Sequence, residues 1–182
     1  MTFVLASASP RRAELLRAAG FTFTVDAVDI DEAVEPGETA DQHVRRLARG
    51  KAEAGARRHP GATVLGADTV VVVEGRILGK PRDEDDARAM LAALSGRVHQ
   101  VYTGVAVARE GQIRDAVDIS AVTFVPLTSA EISAYVATGE PRDKAGAYAI
   151  QGRASRFVER LEGSYTGVVG LPVAVAYRLL IS

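Results

Sequence analysis

Apolar positions along the chain follow two rhythms, and the points where one yields to the other mark its elements. Phe3-Val4-Leu5-Ala6 is a short unbroken apolar run, the length of a buried strand. Ser9 and Pro10 then supply an N-cap and a first-turn residue, Leu15, Leu16 and Ala19 recur at helical spacing, and Gly20 ends that helix. Phe21, Phe23 and Val25 alternate as in a second strand. Thr39 and Gln42 have capping-box spacing and open a helix that runs to about Arg58, before His59-Pro60-Gly61.

The middle of the chain reads differently. Thr63 to Val73 is a long β-branched strand, turned at Glu74-Gly75 into a hairpin with Arg76-Ile77-Leu78. Asp83 starts a helix carrying Ala87, Met90, Leu91 and Leu94, closed near Gly96. His99 to Arg109 and Ile113 to Val125 are strands joined at Glu110-Gly111. Thr128 and Glu131 form a second capping box, for a helix ending at Gly139. Ala147 to Ile150 reads as a short strand, and Pro172 heads a last helix to Leu180. Helices alternate with strands at the start while hairpins dominate the middle, which predicts an α/β protein with a mixed central sheet flanked by helices. No repeat or linker interrupts residues 1–182, so one domain is expected.

Composition narrows the function. Apolar residues make up 47 % and charged residues 25 %, the balance of a soluble globular protein. A net charge of −1 lacks the basic footprint of a nucleic-acid binder, so a small partner is expected. Without cysteine there is no disulfide, thiolate zinc site or cysteine nucleophile. The opening apolar run is too short for a signal peptide and no run is long enough to span a bilayer, so the chain reads as cytoplasmic, with no membrane partner. The P-loop pattern, the Gly-x-Gly-x-x-Gly fingerprint, the Gly-x-Ser-x-Gly elbow and zinc spacing among His43, His59 and His99 are all absent.

Six places remain where chemistry could sit, each with a plainer reading beside it. Ser7-Ala8-Ser9-Pro10-Arg11-Arg12 joins a strand end to a helix N-terminus, with hydroxyls and guanidiniums suited to phosphate; it is equally a capped helix with two solvated arginines. Lys51 completes the stripe of Val44, Leu47 and Ala48, and either snorkels outward or serves an anion at the edge of the core. Asp68, in Gly66-Ala67-Asp68-Thr69, conflicts with strand propensity; it is a general base or cation ligand, or a strand-end residue bonded to backbone. Lys80, in Gly79-Lys80-Pro81, is a phosphate contact or a solvated loop lysine. Glu32 lies in an acidic loop and, paired with Asp68, would complete a magnesium site that keeps several waters. Gln151, next to Gly152, can present its amide to a base edge, or is strand-end punctuation.

Leu5-Ala6-Ser7-Ala8-Ser9-Pro10-Arg11-Arg12 with Leu15-Leu16 is followed in order by Gly66-Ala67-Asp68-Thr69, Gly79-Lys80-Pro81 and Leu94-Ser95-Gly96-Arg97. Asp143-Lys144-Ala145-Gly146-Ala147-Tyr148, Gly163-Ser164-Tyr165 and Val169-Gly170-Leu171-Pro172 complete the series, which resembles the Maf family along essentially the whole chain. That resemblance implies an ITPase-like fold and a nucleoside triphosphate pyrophosphatase. By the same resemblance Asp68 is the catalytic base, and Ser7, Arg11, Arg12, Lys51 and Lys80 handle phosphate. Glu32 matches an acidic position tied to activity and, with Asp68, to a divalent cation, Mg²⁺ or Mn²⁺. Arg12, Thr69 and Gln151 match the branch acting on dTTP and UTP; Arg142 stands where members vary. Clearance of modified pyrimidine nucleotides, a link to division arrest and a homodimer are compatible with this reading. The alternative is a non-enzymatic nucleotide-binding regulator of septum formation.

Overall fold

The computed structural model describes residues 2–182. Seven strands form one mixed sheet: β1 (Thr2–Leu5), β2 (Thr22–Val25), β3 (Val64–Val73), β4 (Arg76–Leu78), β5 (Val98–Arg109), β6 (Gln112–Phe124) and β7 (Val158–Glu162). Their order is β2-β1-β3-β5-β6-β7, with β4 paired to β3 off that path. β1 runs parallel to both β2 and β3, whereas β4 is antiparallel to β3 and β7 to β6. The helices are α1 (Pro10–Ala18), α2 (Ala40–Arg58), α3 (Glu84–Leu94), α4 (Ser129–Val136), α5 (Tyr165–Val169) and α6 (Val173–Ile181). Among the described residues no helix is long and apolar enough to cross a membrane.

The chain divides into two compact units, Met1–Thr69 with Thr103–Asp118 and Thr166–Ser182, and Val70–Tyr102 with Ile119–Tyr165. In the first, strand alternation sorts the core by residue parity. Phe3, Leu5, Leu65, Ala67, Val105 and Val107 point to one face, where Ala13 and Leu16 of α1 and Ala176 and Leu180 of α6 cover them. Val4, Ala6, Val64, Ala106 and Ala108 point to the other, under Ala48 and Ala52 of α2. Gly66 and Gly104 occupy this second face where α2 comes closest. A Cβ on Gly66 would lie 2.4 Å from the Ala48 carbonyl oxygen, and one on Gly104 2.2 Å from that of Val44. Helix backbone rests directly on strand backbone there.

The second unit has α3 packed on α4 and an aromatic group in which His99, Phe124 and Tyr148 meet edge-on, with Phe157 bridging Phe124 and Tyr135.

Locally encoded features appear where the sequence puts them. Both capping boxes form, Gln42 N donating to Thr39 Oγ1 at 3.3 Å and Glu131 N to Thr128 Oγ1 at 3.2 Å. Both hairpin turns hold positive φ at Glu74-Gly75 and Glu110-Gly111. One expected element is absent: Ala147 to Ile150 is no strand. Gly146 and Ala147 both have positive φ, which ends a 3₁₀ turn and cannot continue into a ladder, and the segment runs on as loop and turn. β7 and α5, not foreseen from the pattern, follow it.

Candidate active site

The sheet's alternation splits two neighbouring side chains to opposite faces. Asp68 continues the even face of β3, after Val64 and Gly66, and therefore turns toward α2. The next residue, Thr69, continues the odd face toward α1. Ser7, just past the end of β1, has the same parity as Leu5 and also faces α1.

On the α2 side, Lys51 follows Val44, Leu47 and Ala48 along the buried stripe, and its side chain is 9 % exposed. The ammonium does not snorkel. It donates to Asp68 Oδ1 at 2.8 Å and pairs with Glu32 Oε1 at 2.6 Å. Gly66 makes this geometry available, because a Cβ there would stand 3.1 Å from that of Lys51, and the lysine stem passes over it toward Asp68. Asp68 is buried, whereas Glu32 reaches in from an exposed loop. The candidate base and the candidate acidic partner thus share one ammonium.

On the α1 side, Arg12 is buried and donates four hydrogen bonds within the protein. Nε reaches the Gly170 carbonyl at 2.8 Å, Nη1 reaches Ser7 Oγ and the Ala67 carbonyl, each at 2.9 Å, and Nη2 reaches Thr69 Oγ1 at 3.2 Å. A guanidinium in a fixed fork is suited to tying several acceptors at once. Burial pulls its pKa below the usual arginine range; the nearby charge of Asp68 opposes that shift and the charge of Arg11 adds to it. Ser9 is the N-cap of α1 by position, but its side chain caps nothing; its N–H donates to Ser7 Oγ at 3.2 Å. Arg12 is therefore the clasp between the end of β1, the middle of β3 and the turn before α6.

Behind Thr69 lies a residue the pattern did not single out. Thr103 is fully buried, and its hydroxyl donates to the Gly167 carbonyl at 2.9 Å. Its single proton being used, its oxygen accepts from Thr69 Oγ1, 2.9 Å away. Thr103 gave no signal because threonine is at home in a strand. Gly167 and Gly170 act through backbone carbonyls, which no side-chain pattern reveals.

Within the first unit Ser7, Arg12 and Thr69 come together on the α1 side of the sheet, and Glu32, Lys51 and Asp68 on the α2 side, with the charges of Asp68 and Glu32 both acting on Arg12. Arg11 is half-buried in the first turn of α1. Lys80, exposed after β4, and Gln151, exposed in a turn, lie in the second unit. Among the described residues no group of three or more His, Cys, Asp or Glu could hold a metal ion. Asp68 and Glu32 nonetheless offer hard oxygen donors to one point, a set that suits a cation retaining most of its waters.

A family model described as Maf-like protein matches residues 2–182. A relative from Geobacter sulfurreducens is 58 % identical, covering 93 % of this chain and 90 % of its own. Relatives from Geotalea uraniireducens (57 %; 93 % and 89 %) and Myxococcus xanthus (54 %; 97 % and 90 %) are similar to the same degree. Each of the three carries the name dTTP/UTP pyrophosphatase.

Proposed function

The chain belongs to the Maf family, and from that premise we propose that it hydrolyses dTTP and UTP to the monophosphate and pyrophosphate, as a single domain acting on free nucleotides. The observation that carries this reading is the buried ammonium of Lys51 held between Asp68 and Glu32.

In this reading the triphosphate draws Lys51 toward its phosphate oxygens and frees Asp68 to take a proton from water. The water oxygen attacks the α-phosphorus, the bond to the α–β bridging oxygen breaks, and pyrophosphate leaves. Arg11, with the N–H groups at the start of α1, meets the charge that develops on the leaving group, and Lys80 keeps the phosphate contact that the family resemblance implies. Arg12, with its hydrogen bonds committed to the protein, contributes field and holds Ser7 and Thr69 in place. Asp68 and Glu32 would hold a divalent cation, Mg²⁺ or Mn²⁺, which supplies charge neutralisation to the phosphates when bound. Gln151 reads the base: its amide N–H donates to O4 and its carbonyl accepts from N3–H of uracil or thymine, a pairing cytosine mismatches at both atoms.

Turnover of dTTP by the pure protein in H₂¹⁸O tests the reading. The expected products are pyrophosphate and a labelled monophosphate, and Asp68→Asn should lower the rate by about 10²–10⁴-fold, the usual contribution of a general base. Label in the pyrophosphate would refute attack at the α-phosphorus, and an Asp68→Asn variant near the wild-type rate would remove Asp68 as base. Nucleotide binding without any turnover would favour the regulator instead.

A further inference from the structure

Gln151 sits in a segment without regular structure, yet that segment is held at both ends. Ala149 N–H donates to the Tyr135 hydroxyl at 3.2 Å, and Arg153 N–H donates to Glu140 Oε2 at 3.1 Å. The two holders are joined, since the Tyr135 hydroxyl donates to Glu140 Oε1 at 2.8 Å. Between them the chain closes a turn, Gly152 N–H donating to the Ala149 carbonyl at 3.0 Å. Gly152 lies against the carboxylate so closely that a Cβ there would fall 2.3 Å from Glu140 Oε1. Tyr135 is itself immobilised, fully buried in α4 with its ring edge-on to Phe157 at 5.4 Å. Glu140 begins the turn after α4, behind Gly139 at φ +73°. These hydrogen bonds of the clamp all lie inside the second unit, and Gln151, two residues from each anchor, is exposed.

We propose that Tyr135 and Glu140 are positioning residues for base selection, acting through Gln151: a buried phenol and a carboxylate fix the turn whose tip presents the amide to the pyrimidine. This rests on the reading of Gln151 given above. A side-chain amide discriminates bases only if its carbonyl and its NH₂ are held to the right atoms, because a freely turning amide satisfies cytosine by flipping. A rigid turn supplies that constraint.

The test is the ratio of kcat/KM for UTP to that for CTP in wild type, Gln151→Ala, Glu140→Gln, Tyr135→Phe and the double variant Glu140→Gln/Gln151→Ala, each with a melting curve. Glu140→Gln keeps the shape but leaves one acceptor where two are needed and turns an NH₂ toward a donor. Tyr135→Phe keeps the ring and removes the hydroxyl. Each is expected to lower the UTP/CTP ratio about tenfold, chiefly through KM for UTP. Gln151→Ala should do the same, and the double variant should fall no further than Gln151→Ala alone. A ratio kept by both clamp variants while Gln151→Ala loses it overturns the inference and leaves the reading of Gln151 standing. Equal losses on UTP, dTTP and CTP with a lowered melting temperature overturn it too, as the mark of a structural staple. If Gln151→Ala itself keeps the wild-type ratio, the reading of Gln151 fails and takes the inference with it. Amide exchange in the unaltered protein is independent of how the variants fold: the Ala149 and Arg153 N–H groups should be protected, and exchange at open-loop rates would contradict the clamp.

Discussion

At the scale of the residue, Lys51 joins the two carboxylates of the candidate site. Its stem follows an apolar stripe, and a stem alone could become methionine at little cost in stability. The ammonium changes that, because it is the cation standing against the buried carboxylate of Asp68. Lys51→Met is therefore expected to cost about 3 kcal/mol, the scale for breaking a buried pair, together with most of the turnover. Urea unfolding beside a rate measurement checks both, and unchanged stability would mean that Asp68 is served by other partners. The sequence showed that Lys51 lies on the stripe and that Asp68 is out of place in a strand. It did not show which way the ammonium points, since both directions fit the same spacing. Thr103 was invisible for the opposite reason: it breaks no local rule, and only the sheet brings its hydroxyl to Thr69.

At the scale of the element, α2 is placed by two strands that each carry a glycine where it comes closest. Gly104→Ala would push a methyl group into the Val44 carbonyl, and Gly66→Ala one into that of Ala48, backbone against backbone. Neither can yield without moving the helix that carries Lys51. Gly104→Ala should cost about 3 kcal/mol or more, and should lower activity even at temperatures where the variant is fully folded. Gly50→Ala in the same helix is the control. Its Cβ would meet only the tip of Ile30, at 3.2 Å, and both melting temperature and rate should stay close to wild type. Elements whose signals are local, the capping boxes and the two Glu-Gly hairpin turns, were legible from the sequence. The stretch from Ala147 to Ile150 was misread because its course is set by Tyr135, Glu140 and a pair of positive φ angles. β7 escaped notice because Val158–Glu162 offers only Val158 and Leu161 as apolar residues.

At the scale of the whole molecule, positive and negative charges nearly cancel, so acid stability turns on individual groups. His99 is 1 % exposed, and burial pushes its pKa down to about 4. The unfolded chain binds that proton near the ordinary value of about 6.5, while the folded protein refuses it until about pH 4. Folding stability from this group is thus complete above about pH 6.5, drains away between 6.5 and 4, and is level below that. The span corresponds to about 3 kcal/mol, an order-of-magnitude figure. Unfolding of wild type and His99→Gln at pH 7 and pH 4.5 isolates it, since the carboxylates common to both cancel. The wild type should lose about 2–3 kcal/mol more than the variant over that interval, and parallel losses would show that His99 takes up its proton without unfolding the chain.

The double engagement of Lys51 has a consequence for the protein at rest. The ammonium covers Asp68 Oδ1, so with Asp68 as base that oxygen has first to be uncovered. Only a ligand with enough negative charge to win the ammonium from two carboxylates unmasks it. A nucleoside or a monophosphate, poorer in charge, would leave the ammonium where it stands. In the proposed reading, selectivity for the triphosphate then lies less in how tightly it is held than in its being the visitor able to draw that ammonium away.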